Sequence, residues 1–348
     1  MPPSRQSMGH AFRKAFPSRL PQASLCLIFI LFFPISLLLA AFPSSATPAT
    51  CGPPQPSSGL GGADYQHGKV ISNTYGSGAL KYHLFEPDSP KPAMAPVIIF
   101  LHGWEAMNPK SYGAWIEHIV RRGNIVVFPA YQSLFTKPEE FTQNAARAIK
   151  NSLETLKAKN HVKPDLSKFA IVGHSCGGMI TANLGALAAR LGLPTPRAIM
   201  PVEPGWISTV PLENLSMIPS DTLLLTVVGD QDFIAGDRAA KEIFYRSSQI
   251  PLEKKDFVIM LSDYHGHPPL KADHFAPGCS SADRGPRSNM GPDALDYYCL
   301  WKLFDALTDA AFYGRNWEYA LGNTPQQRYM GTWSDGVAVK ELIVTDKP

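Results

Sequence analysis

Six near-continuous apolar runs, separated by stretches with helical spacing, constrain this 348-residue chain more than any other feature. Val97-Ile98-Ile99-Phe100-Leu101 is the first, and 124–128, 169–172, 198–202, 223–228 and 257–261 follow. Aliphatic runs without polar alternation suit strands whose sheet is covered on both faces, the situation of a parallel sheet. Helices are predicted between and after them, over about 110–122, 139–159, 176–191, 237–248 and 293–312. The second carries its own boundary signals: Pro138 before it, Glu139 and Glu140 in its first turn, Lys157 and Lys159 in its last. This alternation predicts an α/β fold, a mostly parallel central sheet with helices on both faces. Two shorter segments, 70–73 and 80–85, read as an antiparallel pair turning at Gly76-Ser77-Gly78.

Charge is distributed unevenly. The chain carries a formal net charge of +3, yet residues 1–50 hold Arg5, Arg13, Lys14 and Arg19 and no acid. Removing those four positive charges leaves −1 for the remainder, so a nucleic-acid partner has no basic face to bind. The same leader continues into an apolar stretch from Leu25 to Phe42, broken by Pro34, and then into small residues. A basic start, an apolar middle and a small-residue exit is the order of a secretory signal, with Ala46 or Ala49 suited to the cleavage site. The competing reading is an uncleaved membrane anchor, since some eighteen apolar positions just suffice to span a bilayer. Cys51 invites lipoprotein processing, but Ala49-Thr50 before it does not fit that pattern. Residues 1–46 are therefore read as signal or anchor, 47–63 as a Pro/Gly/Ser-rich linker, and 64–348 as one domain with an extension over 314–348. Ten of the 32 prolines lie within residues 1–56, which supports the linker. Secretion or a periplasmic location is expected, with membrane attachment only if the leader stays. In an oxidising compartment Cys279 and Cys299 form a plausible disulfide, while Cys176 reads as a free buried thiol.

In a sheet of this kind, chemistry gathers at the carboxyl ends of the strands. The run ending at Val172 continues Gly173-His174-Ser175-Cys176-Gly177-Gly178 and opens a helix. Gly-x-Ser-x-Gly between a strand and a helix describes a sharp elbow that lifts a serine hydroxyl above the sheet, the glycines making room for the turn. On these residues, positions 65–313 resemble the α/β-hydrolase superfamily, and within it the esterase branch of dienelactone hydrolases, chlorophyllases and cutinases. The resemblance implies a serine nucleophile, then an acid, then a histidine, in that chain order. Ser175 matches the nucleophile. Asp232, beyond the run 223–228 and before an apolar residue, matches the acid. Asp230 is the alternative and Glu203 a more distant one.

The histidine stays open at this level. One loop holds His265, His267 and His274, and both His265 and His274 suit the role. His265 lies four residues past the strand, whereas His274 needs the Pro268-Pro269 segment to fold back. A metal site built from these histidines with Asp263 and Asp273 competes, but no second cluster supports it, so neither metal nor cofactor is expected. The loop His102-Gly103-Trp104-Glu105 follows the first run. Superfamily resemblance assigns the backbone amides of Trp104 and Cys176 to an oxyanion hole, with His102 as a structural support. Trp104, Tyr131 and Trp206 all follow strands and are candidates for an apolar substrate pocket. The expected activity is hydrolysis of a small-molecule or polymeric carboxylic ester through an acyl-enzyme. Amide or peptide cleavage by the same triad, and a binding protein that kept the fold without activity, are the alternatives.

Overall fold

A nine-stranded sheet orders the domain, described in a computed structural model for residues 50–205, 209–278 and 291–348. The leader, its cleavage sites, Trp206 and Cys279 lie outside the described residues. In chain order the strands are β1 (Lys69–Tyr75), β2 (Tyr82–Asp88), β3 (Met94–Leu101), β4 (Ile125–Pro129), β5 (Lys163–His174), β6 (Ala198–Val202), β7 (Leu223–Gly229), β8 (Lys255–Met260) and β9 (Ile343–Thr345). They lie side by side as β1-β2-β4-β3-β5-β6-β7-β8-β9. β3 to β8 run parallel, while β1 and β2 at one edge and β9 at the other are antiparallel. The turn between β1 and β2 places Gly76 and Gly78 at positive φ, which their missing Cβ permits.

Period-two alternation inside each apolar run fills both faces. Ile98 and Phe100 of β3 face a core shared with α1 (Gly113–Arg121) and α5 (Lys302–Tyr313). Val97, Ile99 and Leu101 of the same strand face a second core with α2 (Phe141–Thr155), α3 (Cys176–Leu187) and α4 (Arg238–Arg246). That double covering explains why the runs are almost wholly apolar. Every strand and helix expected from the sequence has its counterpart here, with boundaries moved by a few residues. Among the described residues, no helix is long and apolar enough to cross a membrane.

Two terminal segments are fastened more tightly than their composition implies. Residues 50–63, read as a linker, lie on the domain: the Gly61 amide donates to buried Asp305 at 2.9 Å, and Ser334 Oγ accepts from the Cys51 amide at 2.9 Å. Their partners lie more than 240 positions away, so local composition carries no trace of them. The extension beyond α5 returns across the sheet to form β9 against β8. Its anchor is buried Lys302, whose Nζ donates to the carbonyls of Gln327 at 2.9 Å, Tyr329 at 2.6 Å and Gln326 at 3.3 Å. Cys299 carries a free thiol in the core, and Cys279 lies outside the described residues.

Lys302→Met keeps the aliphatic stem but leaves those carbonyls without their donor. A loss of about 2–3 kcal/mol is expected, read as a lower urea midpoint at unchanged slope. An unshifted midpoint would show that the extension is held by other contacts.

Candidate active site

Ser175 sits at the junction of β5 and α3 with φ 57° and ψ −122°, a conformation costly to any residue with a Cβ. Its flanking glycines allow the turn. A Cβ on Gly173 would lie 2.4 Å from the Gly177 carbonyl oxygen, and one on Gly177 would lie 2.3 Å from that of Leu101. The Ser175 amide is tied to the Val202 carbonyl at 2.9 Å, fixing the elbow to the neighbouring strand. Cys176 opens α3, so its N–H has no carbonyl four residues back within the helix and points out of its positive end. Its thiol is buried, and burial raises its pKa to about 12, so it is not a reactive thiolate.

The loop after β3 faces this elbow. The Gly103 amide donates to the Tyr112 hydroxyl at 2.9 Å, and that hydroxyl meets His174 Nδ1 at 2.8 Å. Gly103 is therefore spoken for, and the loop turns the next residue, Trp104, toward solvent. Gln132 Oε1 accepts from the Glu105 amide at 2.9 Å and holds the far side of the turn. His102 is buried, lies 2.8 Å from the Ala130 carbonyl, and is held neutral by burial with a pKa of about 4. Its contacts brace the loop from within.

Asp232 follows β7. Its Oδ1 accepts from the amides of Ile234 and Ala235, both at 2.9 Å, and its Oδ2 lies 2.8 Å from His274 Nδ1. On the other side of that ring, His274 Nε2 lies 2.9 Å from Ser175 Oγ. All three side chains are buried. Asp230, the alternative acid, instead accepts from the amide and hydroxyl of Ser262 at 3.0 and 2.6 Å and so ties the loop after β7 to the loop after β8.

His265 is not part of this group, which corrects its candidacy as the base. Its Nε2 lies 2.7 Å from Asp335 in an exposed pair with the C-terminal extension. The reason lies in how the loop is pinned. Asp263 and Leu270 exchange backbone hydrogen bonds at 2.9 Å, so residues 264–269 bulge outward and the chain re-enters at 270. The return leg is then sewn to the acid loop by Gln231 N to Ala272 O at 3.0 Å, which delivers His274 to the serine. The histidines and aspartates considered for a metal are scattered by the same path: His265 pairs with Asp335, and Asp263 faces Trp333.

Asp263 holds the loop from beneath. It accepts from the His265 amide at 3.0 Å, the Lys340 amide at 3.0 Å and the Trp333 indole at 3.1 Å. The extension thus acquires a role the sequence did not suggest, as the clamp on the histidine loop. Tyr131 is also corrected as a pocket residue. It is fully buried, stacks on His102 with ring centroids 4.1 Å apart and donates its hydroxyl to the His102 carbonyl, so it braces the loop from below. Of the other two pocket candidates, Trp104 is partly exposed with its ring beside Phe141, and Trp206 lies outside the described residues.

Sequence reasoning gave His174 no role and ranked Glu203 last among the acids. Glu203 is fully buried at the end of β6, with φ 45°, and neither carboxyl oxygen has a hydrogen-bond partner among the described residues. Burial, then the charges of Asp232 and Asp273, hold its pKa well above the usual carboxylate range. His174 Nε2 lies 3.4 Å from it, in contact but not aligned for a hydrogen bond, and the His174 ring packs on His274 at 4.7 Å between centroids.

Burial opposes ionisation of Asp263, but the Lys340 and His265 amides and the Trp333 indole outweigh it and hold the pKa below the usual value. A depressed carboxylate contributes stability that is complete above the unfolded pKa near 3.9 and disappears as pH falls through the folded value. Asp263→Asn should therefore lower Tm at pH 7, by the equivalent of about 2 kcal/mol, and the gap to wild type should close below pH 4. A gap independent of pH would mean that the carboxylate charge is not what holds the loop.

No curated protein matches the chain. Residues 83–205 match the model of the Chlorophyllase family, a family of the α/β-hydrolase superfamily, and the matched stretch runs from β2 through β6. It contains the loop after β3, the serine elbow and Glu203, whereas Asp232 and His274 lie beyond it. Fold, elbow and family match together support a hydrolase, with its likeness to the Chlorophyllase family carried by residues 83–205.

Proposed function

We infer that the protein is an exported serine hydrolase that cleaves carboxylic esters through an acyl-enzyme. One observation carries the reading: a single imidazole, His274, bridges Ser175 Oγ at 2.9 Å and Asp232 Oδ2 at 2.8 Å. A serine hydroxyl is a weak nucleophile until a base takes its proton, and the base needs an acid to fix its tautomer. With Nδ1–H donated to Asp232, Nε2 is left as the acceptor facing the serine.

In the proposed reaction, His274 Nε2 takes the Ser175 proton as Oγ attacks the ester carbonyl carbon. Charge then develops on the carbonyl oxygen, where the amides of Trp104 and Cys176 receive it, the second aided by the positive end of α3. Collapse of the tetrahedral species expels the alcohol, which takes its proton from His274. Water, activated by the same imidazole, releases the acid and restores Ser175. Asp232 stays ionised throughout and stabilises the imidazolium.

An apolar substrate is supported by what stands on the same strand-end loops. Leu134 and Phe135 follow β4, Phe233 adjoins Asp232 and Phe275 adjoins His274, and Phe135 and Phe233 are each 90% exposed. Export rests on the leader: a mature chain beginning after Ala46 or Ala49 is expected, and intact-mass measurement of the native protein checks it.

Ser175→Ala should abolish turnover of p-nitrophenyl butyrate and labelling by a fluorophosphonate. His274→Ala should reduce kcat on the order of 10³-fold or more, whereas His265→Ala should stay close to wild type. Full turnover in the Ser175 variant, or loss in His265→Ala with retention in His274→Ala, would overturn the assignment.

A further inference from the structure

Beside the triad lies a second constellation that shares only His274 with it. His174, Glu203 and His274 each present a ligand atom, and these atoms lie within 4.8 Å of one another. They arrive from three places in the chain: the last residue of β5, the end of β6 and the loop after β8. Two imidazoles and a carboxylate form a donor set that divalent zinc-type ions favour.

Geometry supplies an independent reason for a cation here. Both oxygens of the fully buried Glu203 and Nε2 of His174 lack hydrogen-bond partners among the described residues. The carboxyl is wedged against the end of β7, where a Cβ on Gly229 would lie 2.7 Å from Oε1. Asp232 and Asp273 add negative charge nearby. A buried carboxyl without donors must hold a proton or meet a cation, because an isolated charge is too costly there.

We propose that His174, Glu203 and His274 form a binding site for a zinc-type divalent cation whose occupancy switches the triad off. His274 uses both ring nitrogens in the triad, so it can bind a metal only by giving up Asp232 or Ser175. Metal binding and base catalysis therefore exclude each other. Bonds of about 2.1 Å at tetrahedral angles place donors roughly 3.4 Å apart, so the three side chains draw inward on binding. The site binds metal whether or not esters are the substrate, but inhibition rests on the catalytic reading above.

The binding arm uses full-length Ser175→Ala protein, stripped with EDTA and titrated with Zn2+ and Co2+. One equivalent should bind, with Co2+ giving the visible bands of a four-coordinate site. Glu203→Gln and His174→Gln, each added to Ser175→Ala and checked for an unchanged melting curve, should weaken binding at least about tenfold. In wild type, Zn2+ should inhibit p-nitrophenyl butyrate hydrolysis, EDTA should restore it, and Glu203→Gln should raise the half-inhibitory concentration by a similar factor. Absence of binding, or binding indifferent to Glu203→Gln, would show that the carboxyl holds only a proton and would overturn the proposal. Wild type that binds metal but cleaves no ester would instead refute the esterase reading and leave the site standing.

Discussion

The serine side of the site depends on one unfavourable backbone conformation. Ser175 is held at φ 57° because Gly173 and Gly177 let β5, α3 and the end of β3 approach more closely than any side chain would allow. The strain is tolerated because the elbow lies among elements with double cores above and below, and its amide is bonded to β6. The same turn that lifts the hydroxyl also aims the first amide of α3. In the proposed reaction, nucleophile and oxyanion donor are thus two products of a single steric arrangement.

His274, the proposed base, is placed by a different kind of force. Nothing in the sheet requires His274 to be where it is; a lattice of loop-to-loop hydrogen bonds puts it there. Asp263 pins the outward bulge, Ala272 is sewn to Gln231, and Trp333 and Lys340 hold Asp263 from the extension. The elbow is written in five consecutive residues, whereas the placing of the histidine depends on residues some 70 to 80 positions beyond Asp263. The two halves of the triad consequently rest on different parts of the molecule, and disturbing one need not disturb the other.

That difference also explains what the sequence could reveal. Apolar runs report strands because burial on both faces removes most polar residues locally, and Gly-His-Ser-Cys-Gly reports an elbow because the residues that meet its steric demands lie within five positions. Asp232 could be proposed because it closely follows a strand. Choosing between His265 and His274 requires the path of the loop, which is set by Asp263 pairing with Leu270 and by a tail far along the chain. Tyr131 misleads for a related reason: a strand-end aromatic can point down into the fold as readily as up, and only the stacked His102 ring settles which. His174 and Glu203 carry no signal at all, being single polar residues at the ends of two different strands. Residues 50–63 illustrate the same limit, since their composition is that of a tether while their partners are Asp305 and Ser334.

The clamp formed by the extension has a consequence in time. The elbow is complete once the chain has been made through β6, and the acid follows before α4. The residues that fasten the His274 loop, Trp333 and Lys340, lie more than 100 positions beyond Asp232. On the proposed export route the amino terminus leads, so they emerge after the elbow and after Asp232. The arrangement therefore separates the two in time: a chain without the extension keeps the serine elbow but leaves the His274 loop without its clamp.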